Sequence, residues 1–229
     1  MTRTDDRTDT GAEARADLDA ARDAVAEHAR RLVADHLVAG TAGNLSVRVG
    51  DLVAVTPSGV AYDTMTGADV CVVDLDGTLV DGALKPTSEL PLHLLCYRRH
   101  DAGAVVHTHS AAAVALSLLR DDVPLVHYQT AIFGGGVAVA EYAPFGTDEL
   151  AQNVSAALAG RTAAVMRHHG TVVLAGSLRS AYDGAAHLEW LCDVWLRAAA
   201  VGTPRLLSPE QVDDVAQRLR GYGQGASGP

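Results

Sequence analysis

Short apolar runs alternate with amphipathic helical stretches along the chain, and Gly50-Asp51, Asp76-Gly77 and Asp81-Gly82 punctuate the runs. That alternation restricts the fold to layers of helices against a sheet, and glycine–aspartate turns imply antiparallel hairpins within the sheet. The spacing predicts a polar, disordered tail over residues 1–11 and a helix from about Ala12 to Ala39, stopped by Gly40. Strands follow at Leu45–Val49, Leu52–Thr56 and Val70–Leu75. A helix then opens near Pro86 with Ser88 as N-cap and runs to Arg99. Ala104–His109, Val123–Tyr128, Val137–Glu141 and Ala163–His168 read as further strands, with helices at Ala111–Leu119 and Asp148–Ala159. A long helix over Ser177–Ala200 carries Leu178, Ala181, Ala185, Leu188 and Cys192 on one face, which reads as core. A last amphipathic helix spans Ser208 to about Arg220. No repeat and no linker divides the 229 residues, so one domain over 12–222 is expected, followed by a flexible tail at 223–229.

Composition excludes several functions. With 18 Lys+Arg against 28 Asp+Glu the net charge is −10, which disfavours general nucleic-acid or anionic-membrane binding. Three cysteines (Cys71, Cys96, Cys192) without paired spacing point to a reducing compartment. The N-terminus lacks an apolar leader and no stretch has membrane-span length, so a soluble cytoplasmic protein is expected. Lys85 is the single lysine, so Schiff-base chemistry would have to run there.

Histidines carry the strongest chemical signal. His107 and His109 end the run AVVHTHS, and residues two apart on a strand face the same way, so both imidazoles can meet one ion. The run AAVMRHHG also ends in histidines, His168 and His169, and three imidazoles with an open position describe a catalytic zinc site. Strand alternation sends His168 and His169 to opposite faces, so one of them binds and the other is an ordinary surface or hydrogen-bonded histidine. Glu89, in the first turn of its helix, is either a carboxylate favoured by the helix dipole or a ligand that acts as a base once displaced.

A competing string lies at residues 70–82, VCVVDLDGTLVDG. It matches the DxDGT signature of haloacid-dehalogenase-like phosphatases, with Asp74 as nucleophile, Asp76 as general acid and Mg²⁺ alongside. Here, however, a helix and at least two strands precede the motif, which should end a first strand. The only lysine, Lys85, follows within a few residues, and the acidic pairs Asp121-Asp122 and Asp213-Asp214 sit at a helix exit and inside a helix rather than at the end of an apolar strand. A hairpin turning at Asp76-Gly77 is the favoured reading.

Taken in order, GTAGNLSVR (40–48), TPSG (56–59), KPTSELPLH (85–93), HTHS (107–110), HYQTA (127–131), FGT (145–147) and RHHG (167–170) resemble the class II aldolase/adducin family. The resemblance implies a single three-layer α/β/α domain with a central mixed, largely antiparallel sheet. It implies Zn²⁺ on His107, His109 and His169, with Glu89 as displaceable ligand and acid/base. Thr41, Asn44, Ser58, Gly59, Thr87 and Ser88 match the family's phosphate-binding positions. Tyr128 matches a tyrosine, supplied by a neighbouring subunit of a homotetramer, that exchanges a proton with the aldehyde oxygen. Tyr222 matches a tyrosine that closes over the site, and Phe145 an aromatic near the aldehyde end. The implied activity is aldol cleavage or formation of a ketose 1-phosphate of the fuculose type, giving dihydroxyacetone phosphate and a small aldehyde. Sugar-phosphate epimerases, dehydratases and decarboxylases share that fold and metal site. The stretch IFGGG after Tyr128 departs from the aldolase pattern and bears on the aldehyde tail.

Overall fold

The computed structural model describes residues 7–219 and 221. Its elements are α1 (Arg7–Ala34), β1 (Asn44–Val49), β2 (Leu52–Val55), β3 (Cys71–Asp74), β4 (Leu79–Asp81), α2 (Leu90–Arg99), β5 (Ala104–Thr108), α3 (Ala111–Ser117), β6 (Asp122–Val123), β7 (Val137–Ala140), α4 (Asp148–Ala157), β8 (Ala163–Met166), β9 (Gly170–Ala175), α5 (Leu178–Val201) and α6 (Pro209–Leu219). The strands form one sheet in the order β4-β3-β2-β1-β5-β9-β8-β7-β6. Among the described residues only the β7–β8 pair is parallel.

Alternating side chains of the central strands supply two cores. Leu45, Ala104, Val106, Val165 and Val173 enter one with α1, α3 and α5. Val105, Ala164, Met166, Val172 and Leu174 enter the other with α2 and α4. A sheet apolar on both faces needs helices on both, and this gives the three layers.

Several boundaries differ from the sequence expectation. α1 starts at Arg7, inside the stretch read as a tail, and ends at Ala34. His36, with φ 56°, takes the left-handed position expected of Gly40. Leu37 N–H then donates to Leu32 O (2.9 Å) and His36 N–H to Val33 O (3.2 Å), closing a Schellman motif. The strand read at Val123–Tyr128 stops at Val123, because Pro124 has no N–H to continue the ladder. Tyr128–Phe133 is instead a 3-10 helix, and α6 packs against it. The strand β9 was not foreseen, yet it lies beside β5 at the centre of the sheet. No helix among the described residues is long and apolar enough to cross a membrane.

Candidate metal centre

Three strand ends and one helix start meet at a single edge of the sheet. Asn44 opens β1 opposite His107 near the end of β5, and Thr171 near the start of β9 lies opposite Thr108. Two glycines permit this approach. A Cβ at Gly43 would sit 2.9 Å from His107 O, and one at Gly170 would collide with the Thr108 carbonyl. The His-His-Gly string therefore has a packing reason for its glycine.

His168 and His169 are placed by a tight turn rather than by strand alternation. β8 ends at Met166, and His169 N–H donates to Met166 O at 3.0 Å. His168 occupies the left-handed position of that turn at φ 57°, a conformation that costs a non-glycine residue about 1–2 kcal/mol. Its ring is exposed, while His169 faces His107 and His109 with ring centroids 4.9 and 4.7 Å away. One histidine of the pair points inward, and the cause is the turn rather than strand alternation.

The donor atoms of Glu89, His107, His109 and His169 all lie within 4.8 Å of one another. His107 Nε2 stands 3.1 Å from His109 Nε2 and 2.9 Å from Glu89 Oε2, and His169 Nε2 lies 3.5 Å from Glu89 Oε1. Donors about 2.0–2.1 Å from a tetrahedral ion stand about 3.3 Å apart, so the set fits one cation. His107 Nδ1 donates to Thr171 O at 2.8 Å, which directs its Nε2 into the cluster. Glu89 is 5% exposed, and its Oε1 has no hydrogen-bond partner. A buried carboxylate oxygen left unpaired is costly, and a bound cation would remove that cost.

The protonation states of Glu89, His109 and His169 suit a cation. Burial works against ionising Glu89, but His107, His169 and the Asn44 amide hold its carboxyl well below the usual range. Burial, with the neighbouring imidazoles, pushes His109 down to about 3 and His169 to about 4, so both lone pairs are free at neutral pH. Burial also opposes a charge on His107, yet the Glu89 carboxylate holds its pKa above the ordinary value.

Above this cluster lies a cavity of about 400 Å³. Glu89, His109 and His169 form part of its wall. Thr41, Asn44, Ser58, Gly59, Thr87 and Ser88, the expected phosphate positions, line it as well, as does Phe145. His107 lies behind, fully buried. Asn44 is already engaged, since its Nδ2 donates to Glu89 Oε2 at 3.0 Å and its Oδ1 meets His93 Nε2. Ser88 does not cap α2. Glu89 holds the N-cap position, and Thr87 Oγ1 accepts its N–H at 3.3 Å. Tyr128, 48% exposed with its ring against His127, does not line the cavity of its own chain, nor does the stretch 132–136. Tyr222 lies outside the described residues.

Sequence reasoning passed over three residues here, Tyr142, His93 and Tyr97. Tyr142 and His168 line the cavity with their rings 6.0 Å apart. His93 and Tyr97 lie behind Glu89, and their signal was the four-residue spacing Glu89–His93–Tyr97 along one helix face.

The phosphatase string is consumed by its own turn. Asp74 Oδ1 accepts the N–H groups of Asp76 (3.0 Å) and Thr78 (2.8 Å), while Gly77 N–H donates to Asp74 O. These bonds hold the Asp74 carboxyl below its ordinary value, as expected of an Asx turn closing the β3–β4 hairpin.

Residues 23–196 match the family described as Class II Aldolase and Adducin N-terminal domain. The chain is 34% identical to a 5-deoxy-D-ribulose 1-phosphate aldolase of Bacillus thuringiensis, over 89% of this chain and 97% of the relative. It is 37% identical to the L-fuculose phosphate aldolase of Escherichia coli, over 80% of this chain and 86% of the relative. A solved L-fuculose 1-phosphate aldolase superposes with a TM-score of 0.84 at 35% identity, covering 87% of this chain and 96% of that one.

Proposed function

The chain belongs to the class II aldolase and adducin family, as a carbon–carbon lyase with a His/Glu metal cluster, and from that premise we propose zinc-dependent cleavage or formation of a ketose 1-phosphate. One observation carries the reading: a buried carboxylate with an unpaired oxygen stands among three imidazole nitrogens, at the wall of a cavity lined by hydroxyl residues. Both relatives act by name on ketose phosphates, and breaking such a sugar between C3 and C4 gives dihydroxyacetone phosphate and a small aldehyde such as lactaldehyde.

His107, His109, His169 and Glu89 would hold the ion. A bound Zn²⁺ supplies a Lewis acid that polarises the substrate's carbonyl and stabilises the charge developing there. The chain's residues do the rest. Thr41, Ser58, Gly59, Thr87 and Ser88, with the spare N–H of the Asn44 amide, bind the phosphate without a lysine, and the start of α2 adds its favourable dipole. Glu89 would accept the substrate proton through Oε1, since its Oε2 is held by the Asn44 amide. Tyr128 from a neighbouring subunit of a homotetramer exchanges a proton with the aldehyde oxygen, and Tyr222 closes over the site. Its exposure and its absence from the lining of its own chain's cavity support that role for Tyr128. Three buried free thiols support a cytoplasmic location.

The test is a panel of fuculose, ribulose and deoxyribulose 1-phosphates, assayed before and after chelation and reloading with zinc. Zinc-restored release of dihydroxyacetone phosphate is expected. Conversion with the carbon chain intact, as an epimerase or dehydratase would give, contradicts the proposal.

A further inference from the structure

Behind Glu89 runs a buried chain of polar groups of which the chemistry above uses only Glu89 and Asn44. On α2 and its N-cap, Glu89, His93 and Tyr97 stand at four-residue steps. On β1, Asn44 and Ser46 stand two apart, and the two stripes interlock. Tyr97 OH lies 2.7 Å from Ser46 Oγ, and Ser46 Oγ lies 2.6 Å from His93 Nδ1. His93 Nε2 then meets Asn44 Oδ1, and Asn44 Nδ2 reaches Glu89 Oε2. None of the five side chains belongs to a residue more than 5% exposed, and His93 is fully buried. A leucine would fill that place on an apolar helix face without the cost of burying an imidazole.

The chain has one possible direction. An ionised Glu89 only accepts, so Asn44 must turn its NH₂ toward it and its carbonyl toward His93. His93 Nε2 must therefore carry a hydrogen. His93 is fully buried and its ring nitrogens meet only Ser46 and Asn44, with no carboxylate against them, so the ring is neutral and Nδ1 is an acceptor. Ser46 consequently donates to Nδ1 and accepts from Tyr97, whose hydroxyl burial keeps protonated. The reverse direction would set the Asn44 carbonyl against the carboxylate, two acceptors 3.0 Å apart.

We propose that His93 is a positioning residue for Glu89, held as the Nε2–H tautomer in the middle of a one-way hydrogen-bond chain from Tyr97 through Ser46 and Asn44. The chain pins Oε2 and leaves Oε1 for proton transfer. This deepens the aldolase reading and rests on it for its kinetic consequence, whereas the tautomer can be read independently.

Two measurements on the zinc-loaded full chain test it. In ¹⁵N-histidine-labelled protein, long-range ¹H–¹⁵N spectra, with His93 assigned by its absence in His93→Gln, should give a neutral ring protonated at Nε2. In the cleavage assay His93→Leu should lose about 10–100-fold in kcat, the usual range for groups that orient metal ligands, with KM and zinc content unchanged. His93→Gln keeps one donor and one acceptor and should recover most of that loss. If His93→Leu does not fold, Tyr97→Phe and Ser46→Ala carry the kinetic arm, each lowering kcat without moving KM. An Nδ1–H tautomer, an imidazolium, an unchanged kcat, or equal losses in the Leu and Gln variants would overturn the proposal. A wild type that cleaves no ketose phosphate sinks the aldolase reading alone, and the tautomer still decides the chain.

Discussion

Two hairpin turns carry reactive side chains at strand ends, and they use them in opposite ways. In the β8–β9 turn the backbone is satisfied without drawing on the turn's own side chains. Arg167 N–H reaches Ala140 O, His168 N–H reaches Ser117 Oγ at 3.1 Å, and His169 N–H reaches Met166 O. The His169 side chain owes the turn nothing and is free to face the cluster. In the β3–β4 turn the backbone takes its partners from Asp74, whose carboxylate accepts two N–H groups of its own loop. A motif residue can do chemistry only if the local backbone leaves its valence unfilled. This separates the two strings.

The comparison can be attacked at several points. The largest effect belongs to adjacent histidines. His169→Ala should abolish tight metal binding and cleavage together, while His168→Ala keeps the metal, as metal analysis after dialysis would report. Equal losses would mean that the turn does not select its ligand. Next, Glu89→Gln retains hydrogen bonding but cannot take a proton. Its kcat should fall by about 10²–10⁴ with the ion retained, the range expected for a lost general base. A kcat near wild type would move the proton chemistry elsewhere.

Acid titration of stability gives a smaller, graded effect. His93 has its folded pKa depressed from 6.5 to about 3, so between those values the unfolded chain binds a proton that the folded chain does not. Its stabilising contribution is present above pH 6.5 and is lost as pH falls toward 3. In metal-free protein, denaturant unfolding should show His93→Gln less acid-sensitive than wild type by about 1.4 kcal/mol per pH unit across that window. Parallel pH profiles would show that His93 is not buried as a neutral ring. The smallest effect is expected at Lys85. Borohydride with substrate should leave no adduct detectable by mass spectrometry, and an adduct there would replace the metal mechanism with a Schiff base.

Much of this was legible in the sequence because it depends on local periodicity. The α5 stripe, strand β5 and the hairpin at Asp76-Gly77 follow from spacing and turn chemistry. The stripe residues Leu178, Ala181, Ala185, Leu188 and Cys192 are all buried. What escaped depends on contacts between distant segments. β9 begins immediately after the turn that holds His169, so no punctuation separates it from β8. His93 reads as packing until Asn44 and Ser46, nearly fifty residues earlier in the chain, are laid against it. Pro124 was a visible warning against a strand through Tyr128, and the structure obeys it. Family resemblance supplied the choice of His169. The φ of 57° at His168 supplies its physical cause.

The central claim is that the chain works through its histidine cluster and not through its aspartate string. Metal content and ketose 1-phosphate cleavage, measured side by side in wild type, His109→Ala and Asp74→Ala, test it most directly. The account predicts zinc and activity lost in His109→Ala, with both retained in Asp74→Ala, whose only cost is a small drop in Tm from the loosened turn. Full activity in His109→Ala together with its loss in Asp74→Ala would contradict it.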